Sequence, residues 1–230
     1  MNLIEFEWKL IVRNKRLRQL FIVSKILLPL IIYFQFVNSD LLKGSFLLRE
    51  FLLWGIFALS ANFATFAFSF NATFIEKQLI APLPVFKLLQ AKYRFSCIVS
   101  IGLFIAFLPG VFLGIKFIEL VAAFLFSVGF VFFCLFWTSL FAYKPFDIKA
   151  SYFSNYQGYE AGSYFFPMLA LLVAFGLNAL CYWLFNETVT LITLSFIGLV
   201  FIATNSIWLE KISKSFEKTK YRRLERFREK

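Results

Sequence analysis

Two long apolar runs, about Phe95 to Ile115 and about Ile118 to Ala142, follow one another with only Lys116 and Phe117 between them. Each matches the roughly 20 apolar residues that an α-helix needs to cross a bilayer. With so short a connection, the two helices are expected to form an antiparallel hairpin. The pattern recurs along the chain. Further runs cover about Leu20 to Val37, Phe51 to Asn71, Tyr164 to Phe185 and Val189 to Leu209, giving about six spans by length and hydropathy. Composition agrees, since 60% of the 230 residues are hydrophobic and 16% are charged. A water-soluble chain of this size would have to wet its exterior, whereas a bilayer accepts apolar surface as exterior. The fold class expected is an all-α polytopic integral membrane protein.

Residues 3–18 differ from the spans. Ile4, Trp8, Ile11 and Val12 fall at i, i+4, i+7 and i+8, on one face of a helix, while Glu5, Lys9, Arg13 and Arg16 take other faces. A basic helix with Trp on its apolar side suits the plane of the membrane interface. Residues 1–19 are long and mixed in charge, and Leu27 to Phe36 leads to no Ala-x-Ala site. The first span is therefore expected to be retained rather than cleaved as a leader. In it, Lys25 lies near enough to the end to snorkel and Pro29 can kink the helix. The chain thus reads as one transmembrane domain over 1–230: an interfacial helix in 1–19, a six-span bundle over 20–209 and a basic tail over 210–230.

Lys and Arg set the orientation. Segments 1–19, 71–94, 143–163 and 210–230 carry 5, 4, 2 and 9 of them, whereas the loops between carry only Lys43, Arg49 and Lys116. Cytoplasmic loops are the basic ones, so both termini are expected in the cytoplasm of a bacterial cell with this chain in its inner membrane. The same rule accounts for the net charge of +11 without invoking nucleic acid. Cys97, Cys134 and Cys181 lie inside apolar runs without ligand spacing, and the chain has no His. Cys-His and Ser-His-Asp catalysis are excluded, together with the commonest metal ligand. No metal site and no catalytic residue are expected.

The inner segment Glu76–Lys92 is longer than a linker between spans needs to be. Pro84 can sit near the first turn of a helix. Val85, Leu88 and Leu89 recur at i, i+3 and i+4 on one side, with Lys87 and Gln90 elsewhere. A short helix parallel to the membrane could dock its apolar edge into a groove on a soluble partner, or lie at the interface with no partner. In the second span, Asn62, Thr65, Ser69 and Thr73 share one helical face. Such residues face protein or water rather than lipid, either bonding neighbouring helices or lining a substrate path. Gly110 and Gly114 form a Gly-x-x-x-Gly that permits close helix approach. The 35 phenylalanines could line an apolar substrate path, though the plainer reading is lipid-facing filler. In the loop 143–163, Gly158 and Gly162 allow tight turns. In the tail, Ile212, Phe216, Leu224 and Phe227 fall roughly on one side of a helix among basic residues that suit anionic lipid.

An acidic residue, a Leu-x-x-Pro and a Leu-Leu-x-x-Lys just before the third span resemble the permeases of ATP-binding-cassette exporters. Within these the chain is similar to the type-two export permeases, which also place an interfacial helix before six spans. The matching positions are Glu76, Leu79, Pro82, Leu88, Leu89 and Lys92. The resemblance implies that 76–92, with Pro84 and Val85, is a cytoplasmic coupling helix between spans two and three, seated in a cleft of the ATPase. On the polar face of the second span, Asn62, Thr65 and Ser69 are the candidates for a substrate path. The implied partners are ATP-binding-cassette ATPase subunits, a second permease subunit, identical or homologous, and membrane lipid. No G-x-x-x-x-G-K-[ST] occurs in the chain, so ATP and Mg would sit on the partner and this chain would hold no cofactor. The family's re-entrant helices between the last two spans have no counterpart, because that linker is little more than Asn186-Glu187-Thr188. The alternative from the residues alone is an accessory membrane scaffold or a lipid-acting membrane protein without an ATPase.

Overall fold

The structure, a computed structural model, describes residues 3–27, 30–31, 34, 45–58, 84–113, 115–141 and 161–228. The described residues are helical apart from short connections. Helix α1 spans Leu3–Arg13 and ends at Asn14, whose side-chain amide donates back to the Leu10 carbonyl at 2.6 Å. Helix α2, Lys15–Ile22, continues into a π turn at Val23–Leu27, where the first expected span begins. Helix α3 covers Phe46–Ala58, starting ahead of the expected second span and taking Glu50 into the helix.

Helix α4, Val85–Phe107, tightens into a 3-10 turn over Leu108–Leu113. No separate helix precedes the third span among the described residues. The described part of the expected segment, Val85–Lys92, forms the first turns of α4 itself, because nothing between Val85 and Phe107 breaks the hydrogen-bond ladder. After Lys116, helices α5, Phe117–Phe126, and α6, Phe132–Thr138, join through a π turn at Ser127–Val131 into one span ending at Phe141. Helix α7 runs Ala161–Leu184, with Pro167 inside it. Helix α8, Glu187–Ala203, is capped by Asn186, whose side chain accepts from the Val189 amide at 2.9 Å.

The sixth expected span does not run straight to Leu209. It breaks at Thr204, and helix α9, Asn205–Arg228, leaves at 60° over its first part. The last carbonyls of α8 are satisfied by side chains at the corner. Thr204 Oγ1 donates to Val200 O at 2.8 Å, Asn205 Nδ2 to Ile202 O at 2.6 Å, and Trp208 Nε1 to Phe201 O at 2.9 Å. At Phe201 and Ile202 these donors stand in for the amides that a continuing helix would have supplied, whereas Val200 O also accepts from the Thr204 amide at 3.0 Å, and much of the basic tail belongs to the bent helix.

Three described helices are long and apolar enough to cross a membrane: Val85–Phe112, Phe117–Phe141 and Phe165–Leu184. The bent pair α8–α9 makes a fourth if it counts as one span. The span Phe117–Phe141 is the innermost, packed on α3 and α8, with Phe126, Val131, Phe132 and Phe136 buried. The outer helices expose rows of large apolar side chains, such as Ile98, Ile101 and Ile105 on α4 and Phe165, Leu172 and Trp183 on α7. Surface of this kind fits contact with lipid tails.

The innermost span meets α8 at Gly129 and Gly198. A Cβ on either glycine would overlap backbone of the other helix, Gly198 in one case and Leu125 and Phe126 in the other. This close approach lies within the π turn; of the Gly-x-x-x-Gly pair Gly110 and Gly114, the second lies outside the described residues.

Candidate coupling site

Of the residues expected to couple, Pro84, Val85, Leu88, Leu89 and Lys92 are described. Glu76, Leu79 and Pro82, like Asn62, Thr65 and Ser69 of the expected substrate path, lie outside the described residues. So does most of the loop 143–163. Pro84 precedes the first turn of α4 in extended backbone (φ −65°, ψ 129°), and its carbonyl accepts from the Lys87 amide at 3.0 Å. A proline there loses no helical hydrogen bond.

The start of α4 has two unlike sides. Pro84, Lys87 and Arg94 are exposed and Leu88 is half-buried. Leu89 is wholly buried in the main core, with Ala91, Lys92 and Tyr93 also inside. Leu88 and Leu89, expected on one docking edge, are therefore divided: Leu88 is available to a partner and Leu89 is committed within the chain.

Lys92 is the larger surprise. Its Nζ lies 2.8 Å from each carboxylate oxygen of Glu7 on α1, and the two side chains are 2% and 5% exposed. Glu7 shares the inner face of α1 with Leu10 and Ile11, whereas Trp8 and Val12 point outward. The face of α1 against the protein is thus Glu7-Leu10-Ile11, not the Ile4-Trp8-Ile11-Val12 stripe read from the sequence. The stripe still supplies contacts, since Trp8 meets Phe95 of α4 at 6.5 Å between ring centroids and Phe21 of α2 at 5.9 Å. Outside the bundle, the exposed Glu5 carboxyl is held below its usual range by hydrogen bonding and attraction to Lys9, one turn on.

One residue beyond Lys92, Tyr93 packs edge-on against Trp208 of α9 at 5.3 Å and meets Phe132 and Phe136 of α6 at 6.2 Å. Two adjacent residues at the start of α4 thereby tie it to the N-terminal helix and to the bend before the tail. Glu7 was missed in the sequence, although a carboxylate at i with Leu10 and Ile11 at i+3 and i+4 is itself a sign of a buried partner.

A second charged group lies at the opposite end of the bundle. Arg49 Nη2 donates to Glu119 Oε1 at 2.7 Å, joining α3 to α5. Lys116 Nζ sits 3.7 Å from Glu119 and 3.4 Å from Glu187 at the start of α8. Glu50, which precedes the expected second span, is wholly buried beside them, with neither carboxyl oxygen hydrogen-bonded among the described residues. Burial, and then the charge of Glu119, push its carboxyl well above the ordinary carboxylate range. Among the described residues, no cluster of three His, Cys, Asp or Glu is spaced to hold a metal ion.

No curated protein matches the chain, and no solved structure does. One family model matches it across residues 1–230, and the chain therefore belongs to that family of unknown function, DUF5687.

Proposed function

We propose that the chain is the permease subunit of an ATP-binding-cassette exporter, with an ATPase docking on the exposed side of the start of α4. The observation that carries this reading is the two-sidedness of that segment. Pro84, Lys87 and Leu88 face outward, while Leu89, Lys92 and Tyr93 are fastened to α1, α6 and α9. A helix end built in this way can receive a push on one side and pass it to three elements on the other. A partner groove would take Leu88, and acidic residues at its rim would meet Lys87 and Arg94. Nucleotide-driven closure of two ATPases would move the α4 ends of two permease subunits and shift the bundles between inward- and outward-open states. The ATPase is a separate polypeptide in this reading.

The test is co-purification of the full chain with an ATP-binding-cassette ATPase from the same cell, scored by complex recovered and ATP turnover. Leu88→Glu should leave the chain folded and cost about 2 kcal/mol or more of association, as for an interface anchor. Unchanged recovery and turnover in that variant overturn the assignment.

A lipid-acting role without an ATPase has one observation in its favour. At the α8–α9 bend, a cleft of about 380 Å³ is lined by Phe133, Trp137, Phe201 and Trp208, with Lys211 among its lining residues. Aromatic walls with a lysine suit an acyl chain with an anionic headgroup. Lipid retained on purification and lost in Lys211→Glu would support this second reading.

A further inference from the structure

We propose that the cleft at the α8–α9 bend holds one resident anionic phospholipid, its phosphate on Lys211 and one acyl chain along the aromatic walls. The inference rests on the lipid reading above for the chemistry of the ligand, but the lipid here is kept rather than acted on, and no ATPase is needed. The depth of the cleft follows from the elements that form it. Phe133 and Trp137 belong to the last turns of the innermost span, which ends at Phe141, and Phe201 to the last turn of α8. Both spans end here, at the level where lipid chains give way to headgroups. Trp137 and Ile207 are exposed at the mouth, so the cleft opens onto the apolar outer surface, and a Trp at this level suits the membrane interface.

The polar groups of the cleft select for charge. Trp208 Nε1 donates to Phe201 O at 2.9 Å and Thr204 Oγ1 to Val200 O at 2.8 Å, so both are engaged within the chain. Lys211 has no carboxylate partner among the described residues, whereas Lys214, one turn on, lies 2.7 Å from Glu210. Ile207 and Lys211 are at i and i+4 on α9, which places the cation just beyond the apolar mouth. A lysine so placed lays its stem on apolar surface and offers its ammonium to a phosphate. The volume of about 380 Å³ is near the lower end of ligand sites, which run roughly 300–1,000 Å³. That room takes the phosphate end and the top of one chain and leaves the rest of the lipid in the bilayer. A soluble anion would leave the aromatic walls uncovered. A zwitterionic lipid brings its own cation and gains less from Lys211.

Native mass spectrometry of the full chain in detergent, with phosphatidylglycerol or phosphatidylcholine of the same acyl chains added at equal concentration, reads the site. The expected result is one phosphatidylglycerol per chain, bound about fivefold or more tighter than phosphatidylcholine. Lys211→Gln should remove that preference and Lys214→Gln should keep it. Ile207→Trp, which fills the exposed mouth, should abolish the bound lipid. Equal binding of the two lipids by the wild-type chain, or undiminished binding in Ile207→Trp, overturns the site. Equal loss in the two lysine variants also overturns it, by reducing the effect to the surface charge of α9. The lipid recovered after incubation separates this site from a lipid-acting role. Phosphatidylglycerol returned unaltered is expected, and its conversion to another species overturns the resident lipid while favouring the lipid-acting reading.

Discussion

Glu7 and Lys92 form a buried ion pair across 85 residues of sequence, with Nζ 2.8 Å from both carboxylate oxygens. The pair fastens the N-terminal helix to the start of the span that follows the expected coupling segment. Removing either partner strands a charge away from water, which typically costs about 3–5 kcal/mol, whereas an apolar or neutral replacement of both costs far less. Glu7→Gln and Lys92→Met should each lower the unfolding midpoint of the detergent-solubilised chain strongly. The double variant should lose much less than the sum of the two. A double-mutant cycle that is simply additive would show that the pair contributes no coupling.

The glycines at the crossing of α8 with the innermost span should behave unlike those elsewhere. Gly129→Ala and Gly198→Ala each drive a methyl into backbone, so a loss of about 3 kcal/mol or more is expected in unfolding measurements. Gly176 in α7 meets nothing within 4 Å, and Gly176→Ala should be neutral or raise stability by up to about 1 kcal/mol. Equal effects at all three positions would contradict the backbone contact.

Glu50 predicts the sign of a pH dependence. Its carboxyl is raised above the ordinary range, so the folded chain holds that proton more tightly than the unfolded chain does. The resulting stability is fully present below the ordinary carboxyl range and is lost as pH rises through the raised value. Thermal midpoints of the wild-type chain should fall across that window. Those of Glu50→Gln should stay flat there and exceed wild type at its alkaline end.

Legibility in the sequence followed local periodicity. The runs of α4, α5–α6 and α7 were visible because some twenty apolar residues have few other uses, and α1 was visible from its amphipathic spacing. Pairings between distant segments were not visible. Lys92 reads as a surface lysine closing a loop until Glu7 is brought to it, and Leu89 cannot be told from Leu88 by spacing alone. The bend at Thr204 was hidden because the apolar run continues through Ile207 to Leu209; the corner has the side chains of Asn205 and Trp208 capping carbonyls, with no proline or glycine at it. Glu50 reads as the last residue of a polar connection, and only the fold buries it.

The two sides of α4 predict opposite outcomes for neighbouring leucines. Leu89→Glu places a charge in the main core, where Leu89 is wholly buried, and the chain should fail to accumulate as a monodisperse species on size exclusion. Leu88→Glu should accumulate normally. The same behaviour from both variants would remove the distinction between the outward and inward sides.

The account turns on whether the outward side of α4 meets an ATPase, and site-specific photo-crosslinking measures this most directly. A photoreactive side chain at position 88 of the full chain, expressed in its own cell, should give an adduct with an ATP-binding-cassette ATPase, identified by mass spectrometry. The same group at position 101, on the exposed apolar row of α4, should give none. Absence of an adduct from position 88, or adducts of equal yield from both positions, would contradict the coupling role of this helix end.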